Sequence, residues 1–136
     1  MKKIITILLT MVLLCSSMII PSYAAVIEEP EIMPLWDNIE VVTLDIAFSG
    51  TEGNATGGTT KKDGVSSIEG TVVVYEIVDG ELVYLNEAYK STTRYSVGVS
   101  CDFPAHVGGE YYAVFTVTAY RNGVGETFTM DSYRAY

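Results

Sequence analysis

From Ile39 onward the pattern is of strand type, and no helix-length stretch carries apolar residues at i, i+3, i+4 and i+7. β-Branched residues and tyrosines dominate this region. Such a chain folds by pairing strands, and its turns decide which strands pair. The pattern predicts seven of them, at about 39–49, 54–61, 68–78, 81–88, 94–103, 111–120 and 125–134. In the first, Val42, Leu44, Ile46 and Phe48 share one side. The second lies in a Gly-, Thr- and Asn-rich stretch and offers little to bury. Seven short strands separated by turn signals describe an all-β, two-sheet sandwich.

Two turns set the register. Asn122-Gly123 is a two-residue hairpin loop, so facing positions in the last hairpin sum to 245. Phe115 then meets Met130 and Val117 meets Phe128, while Thr116 meets Thr129 and Thr118 meets Thr127. One turn thus sorts large apolar residues onto one face and threonine pairs onto the other. Tyr112 and Tyr133 oppose each other on the outer side, a candidate aromatic contact for a sugar ring or a protein.

Asp79-Gly80 closes the 68–88 hairpin in the same way, with facing positions summing to 159. One face carries Thr71, Val73, Tyr75, Ile77, Leu82, Tyr84, Asn86 and Ala88, without charge. The other carries Val72, Val74, Val83 and Leu85 among Glu76, Glu81 and Glu87. Burying unpartnered glutamate is costly, so the uncharged face is expected to be core. Val72, Val74, Val83 and Leu85 then form an exposed stripe rimmed by acid, a candidate surface for a protein partner or self-association. The alternatives are cover by a loop or by residues 25–36, or a bulge that reverses the faces.

Residues 1–24 read as an export signal. Met1-Lys2-Lys3 precedes an apolar run from Ile4 to Ile20, Pro21 breaks it, and Ser22-Tyr23-Ala24 supplies a small-x-small cleavage site. An uncleaved anchor and lipid attachment at Cys15 are weaker readings, because Pro21 and the cleavage site suit processing and Leu14 precedes Cys15. Residues 25–38, with Pro30, Pro34 and three glutamates, form an extended leader that docks through Trp36. Residues 39–136 form one domain.

Seventeen acidic residues face eight basic ones, and Lys2 and Lys3 belong to the signal. Such a chain is repelled by phosphate backbones and anionic lipid, so neither nucleic acid nor, after cleavage, a membrane is an expected partner. An apolar fraction of 49% argues against disorder.

Chemistry is sparse. Cys101 alternates with Val97, Val99 and Phe103, which makes it a buried spacer, and His106 is a loop residue after Pro104. No His-based metal spacing, phosphate loop or nucleophile elbow is present. Thr51-Glu52-Gly53-Asn54 and Lys62-Asp63-Gly64 lack the acidic alternation of a calcium loop, so no metal or cofactor is expected. Asn54-Ala55-Thr56 matches a glycosylation sequon, relevant only to a eukaryotic secretory route.

The segment Tyr111-Tyr112-Ala113-Val114-Phe115-Thr116-Val117-Thr118-Ala119, after Gly108-Gly109 and before Asn122-Gly123, resembles the sixth-strand region of fibronectin type III and related immunoglobulin-like domains. The resemblance implies a seven-stranded sandwich in which Tyr111 is the corner tyrosine, its hydroxyl turned to nearby backbone. It departs in lacking a buried Trp in the third strand and an inter-sheet disulfide. The chain is also similar to small secreted single-domain proteins of Gram-positive bacteria. Neither resemblance carries over a catalytic or binding residue.

The expectation is an exported, non-enzymatic immunoglobulin-like binding or adhesion module, secreted or associated with the cell envelope. The alternatives are a carbohydrate-binding domain using exposed tyrosines, with a glycan partner, and a small secreted hydrolase. We predict that the exported protein begins at Ala25. N-terminal sequencing of exported material that returned an intact Met1 would refute this.

Overall fold

The computed structural model describes residues 36–136; the expected signal and residues 25–35 of the leader lie outside the described residues. Seven strands follow one another: β1 (Ile39–Ser49), β2 (Glu52–Lys61), β3 (Ser67–Val78), β4 (Glu81–Thr92), β5 (Ser96–Pro104), β6 (Glu110–Arg121) and β7 (Val124–Ala135). They form two antiparallel sheets, ordered β1-β2-β5 and β4-β3-β6-β7. Every second residue of β5 from Val97 to Phe103, and of β6 from Tyr111 to Ala119, is buried between the sheets.

Both expected turns are present. Asp79 and Gly80 have φ of 54° and 82°, and Asn122 and Gly123 have 52° and 79°, the paired left-handed residues that match hairpin twist. The last hairpin keeps the sum-245 register throughout. Its threonine pairs are joined on the outer face, with Oγ1 atoms 3.3 Å apart for Thr116–Thr129 and 2.9 Å for Thr118–Thr127.

β2 is longer than the expected 54–61 and holds the centre of the three-stranded sheet. Its inward positions are Gly53, Ala55, Gly57 and Thr59, all buried. The two glycines are small because aromatic rings lie on them. A Cβ on Gly53 would stand 2.3 Å from the Phe103 ring, and one on Gly57 would stand 2.5 Å from Phe115 Cδ2. On the facing sheet, a Cβ on Gly70 would stand 2.7 Å from Phe115 Cε2. The Phe115 ring therefore occupies space that both sheets vacate, and it is fully buried.

The 68–88 hairpin corrects the expected faces. From Val78↔Glu81 to Tyr75↔Tyr84 the sum-159 register holds, but Val74 pairs with Asn86 and Val72 with Ala88. Leu85 is the extra residue of a β-bulge. Val72 and Val74 are fully buried, Leu85 packs half-buried against the core, and Val83 is 45% exposed. An unbroken register would have put Glu87 opposite Val72. The bulge carries Glu87 to the outer face, opposite Val73, and so avoids an unpartnered buried carboxylate. Glu76 stays at the end of the sandwich, where Oε1 lies 3.5 Å from His106 Nδ1. The glutamates therefore did not force their face outward, and the exposed stripe of Val72, Val74, Val83 and Leu85 does not exist.

At the ends, Trp36 packs half-buried on Phe128 with ring centroids 4.3 Å apart, the contact expected of that residue. The Glu126 carboxylate accepts the N–H groups of Asp37 and Asn38 at 2.9 and 2.7 Å. Phe48 stacks on Tyr136 and packs against Tyr111, which also packs against Phe103.

We predict that Gly57→Ala lowers stability by about 1–3 kcal/mol in urea denaturation, because the added methyl meets the Phe115 ring. Gly57→Ala combined with Phe115→Leu should cost clearly less than the two single changes summed. Strict additivity would show that the ring and Gly57 are not in contact.

Candidate functional site

The bulge decides what the four-stranded sheet shows to solvent. Its pairings Tyr84↔Tyr75, Tyr75↔Tyr112 and Tyr112↔Tyr133 place four tyrosines in one row across β4, β3, β6 and β7. With neighbouring strands about 4.8 Å apart, the row spans about 14 Å. Tyr84 and Tyr133 at its ends are 55% and 54% exposed, while Tyr75 and Tyr112 are half-buried between them. The Tyr75 and Tyr84 rings meet edge to face, with centroids 6.2 Å apart and planes at 79°.

The flanking rows complete the surface. On one side run Glu87, Val73, Val114 and Asp131, with the two aliphatic residues in the middle and a carboxylate on each edge strand. On the other side Ile77 pairs with Leu82, which is 53% exposed. The Tyr133 hydroxyl donates to Glu110 Oε1 at 2.7 Å. Farther along the sheet, Glu69 accepts from Tyr120 and Tyr89 at 2.8 and 2.9 Å, which ties β3 to both neighbours. The result is an aromatic and aliphatic strip bounded by carboxylates.

Desolvation and neighbouring carboxylates shift several phenols above their ordinary value. Tyr84 is shifted above its ordinary value by partial desolvation and then by Glu87. Tyr112 is raised by desolvation and then by Asp131. Tyr133 is raised first by its hydrogen bond to Glu110, Tyr120 by its bond to Glu69, and Tyr95 by its bond to Glu40.

Of the residues singled out from sequence, Tyr112 and Tyr133 lie opposite each other on the outer face, while Val72 and Val74 are core. The sequence reading missed Tyr75 and Tyr84. The Asp79-Gly80 turn already makes them opposite, but their uncharged face was assigned inward. Cys101 is buried, its thiol pushed up chiefly by burial and then by Asp102 and Glu87, so it is a poor nucleophile at neutral pH. The other sheet carries a shallow depression of about 310 Å³ lined by Val41, Thr43, Gly58, Thr60, Ser96 and Gly98, a set without a carboxylate or ring.

No protein-family model matches the chain, and no curated protein sequence matches it. Among solved structures, a crystal structure of Parabacteroides merdae β-glucuronidase is similar at 16% identity and TM-score 0.42, over 71% of this chain and 13% of that one. A second structure of that enzyme, with glycerol in the active site, is similar at 18% identity and TM-score 0.40, with the same coverage. The chain thus spans a small fraction of the length of these proteins.

A raised phenol pKa means that the folded protein holds its protons more tightly than the unfolded chain. The stability from these bonds is complete below about pH 10, the ordinary tyrosine value, and fades as pH rises through the folded values. We predict that absorbance of tyrosinate in the folded protein develops later than in urea-unfolded protein. Coincident titration curves would contradict the tyrosine–carboxylate pairing.

Proposed function

We propose that the chain is an exported, non-enzymatic binding module of the immunoglobulin and fibronectin III kind, and that the outer face of the four-stranded sheet is its binding surface. The row Tyr84, Tyr75, Tyr112 and Tyr133 carries this reading. Large amphipathic rings with few rotatable bonds are the groups that anchor partners at interfaces, and here they are gathered on one open face.

Strand order supports the architecture. Constant-type immunoglobulin sandwiches place strands one, two, four and five in one sheet and three, six and seven in the other. Here β4 pairs with β3 instead. The two-residue Asp79-Gly80 turn favours that choice, since it leaves no chain to cross to a sheet about 10 Å away. Tyr111 supports it too: its buried phenol oxygen accepts the His106 N–H at 2.9 Å, the contact expected of a corner tyrosine. Export is supported by the n-region, apolar run and cleavage site of residues 1–24.

The test compares retention on immobilised cell-envelope and extracellular fractions of the producing cell. The double variant Tyr84→Thr/Tyr133→Thr keeps β-forming residues at exposed positions and should bind about tenfold more weakly. Val41→Thr/Thr60→Ser, on the other sheet, should bind like wild type. Equal retention of all three proteins would remove the tyrosine face as the binding surface.

A further inference from the structure

We propose that the tyrosine face takes an extended polypeptide segment of another protein bearing two lysine or arginine side chains four residues apart. This rests on the reading of that face as the binding surface, and adds the chemistry and spacing of what it binds.

Charge supplies the first argument. Glu87 and Asp131 sit on the two edge strands, β4 and β7, at opposite ends of one row. Among the described residues Arg134 pairs with Asp45 and His106 lies beside Glu76, so neither Glu87 nor Asp131 has a cationic partner within the domain. Arg134, the arginine of β7, instead donates to Asp45 Oδ1 at 3.2 Å and Ile46 O at 2.5 Å on β1. The face thus presents unopposed negative charge beside tyrosine rings. A cationic side chain there gains both a carboxylate and the negative face of a ring.

Spacing supplies the second. Three inter-strand steps separate Glu87 from Asp131, about 14 Å. In an extended peptide, residues i and i+4 point the same way and stand about 13 Å apart. A segment crossing the strands therefore places one cation at each carboxylate. Residue i+2, on the same side, falls over Val73 and Val114 at the middle of the row.

Two other occupants fit less well. A second copy of this chain would bring acidic edges together, and the whole chain carries a formal charge of −9. A glycan stacks its sugar rings on a flat aromatic floor, whereas the Tyr75 and Tyr84 planes stand at 79°. Edge-to-face rings leave a corner suited to a side chain.

The probe is an acetylated, amidated peptide Lys-Thr-Leu-Thr-Lys, compared with its Glu-Thr-Leu-Thr-Glu counterpart and with cellohexaose. NMR of the tyrosine rings and valine methyls of the full exported protein reports where each binds. The lysine peptide should shift Tyr75, Tyr84, Tyr112, Tyr133, Val73 and Val114, and the glutamate peptide should not. Glu87→Gln/Asp131→Asn should weaken binding by roughly tenfold, while Glu52→Gln/Asp63→Asn, with the same change in net charge, should alter it less than about twofold. Equal weakening by both variants would reduce the effect to general attraction and overturn the inference. If cellohexaose alone moves those tyrosines, the polypeptide partner is wrong and the face remains the binding surface. If no probe moves them, the inference fails, and the retention experiment with Tyr84→Thr/Tyr133→Thr decides the face separately.

Discussion

The Phe115 ring fills a gap left by both sheets. Gly57 on β2 and Gly70 on β3 lie against its two sides, each too close for a Cβ. Sheets in a sandwich pack about 10 Å apart with their side chains interdigitated, and here the ring takes the room that two missing side chains leave. Phe103 lies over its register partner Gly53 within the three-stranded sheet. The Phe115 packing joins the two sheets where no disulfide does, since Cys101 is free and buried. These contacts also explain how a strand with so little apolar content occupies the centre of a sheet: β2 contributes vacancies, and β5 and β6 contribute the rings that fill them.

The second constraint is Glu87. A two-residue turn fixes the β3–β4 register at its loop end, and that register continued would point a carboxylate at Val72. A single bulged residue, Leu85, resolves the conflict with modest loss, because β4 is an edge strand that interrupts pairing on one side only. Val72 and Val74 are freed to pack as core, and Asn86, facing inward, donates to Asp102 O on β5 at 2.7 Å. The loop-proximal pairing survives and keeps Tyr75 against Tyr84.

Local features were legible in the sequence, and features that depend on distant partners were not. Asn122-Gly123 and Asp79-Gly80 announced their turns, and alternation from Tyr111 to Ala119 announced the buried face, because each is written within about ten residues. The worth of Gly57 and Gly70 was invisible, because the ring they accommodate lies tens of residues away in the chain. The bulge was visible only as an alternative. Alternation gives two faces, and choosing between them required the location of each glutamate relative to the sandwich end and edge. Glu76 at the end meets His106, and Glu87 at the edge is turned out. Charge per face does not separate these positions, because each glutamate's burial depends on where the sandwich ends.

The tyrosine row follows from these same constraints. Once Val72 and Val74 turn inward, residues 71, 73, 75 and 77 of β3 face solvent, and the two hairpin registers align Tyr84, Tyr75, Tyr112 and Tyr133 across the sheet. Cross-strand aromatic neighbours stabilise the strands that carry them, so the row contributes to the isolated domain. The edge carboxylates put like charge beside an apolar strip of the kind that otherwise invites self-association. An aromatic face that supports its own sheet and carries like charge on both edge strands has the features that the proposed binding surface on a small sandwich requires.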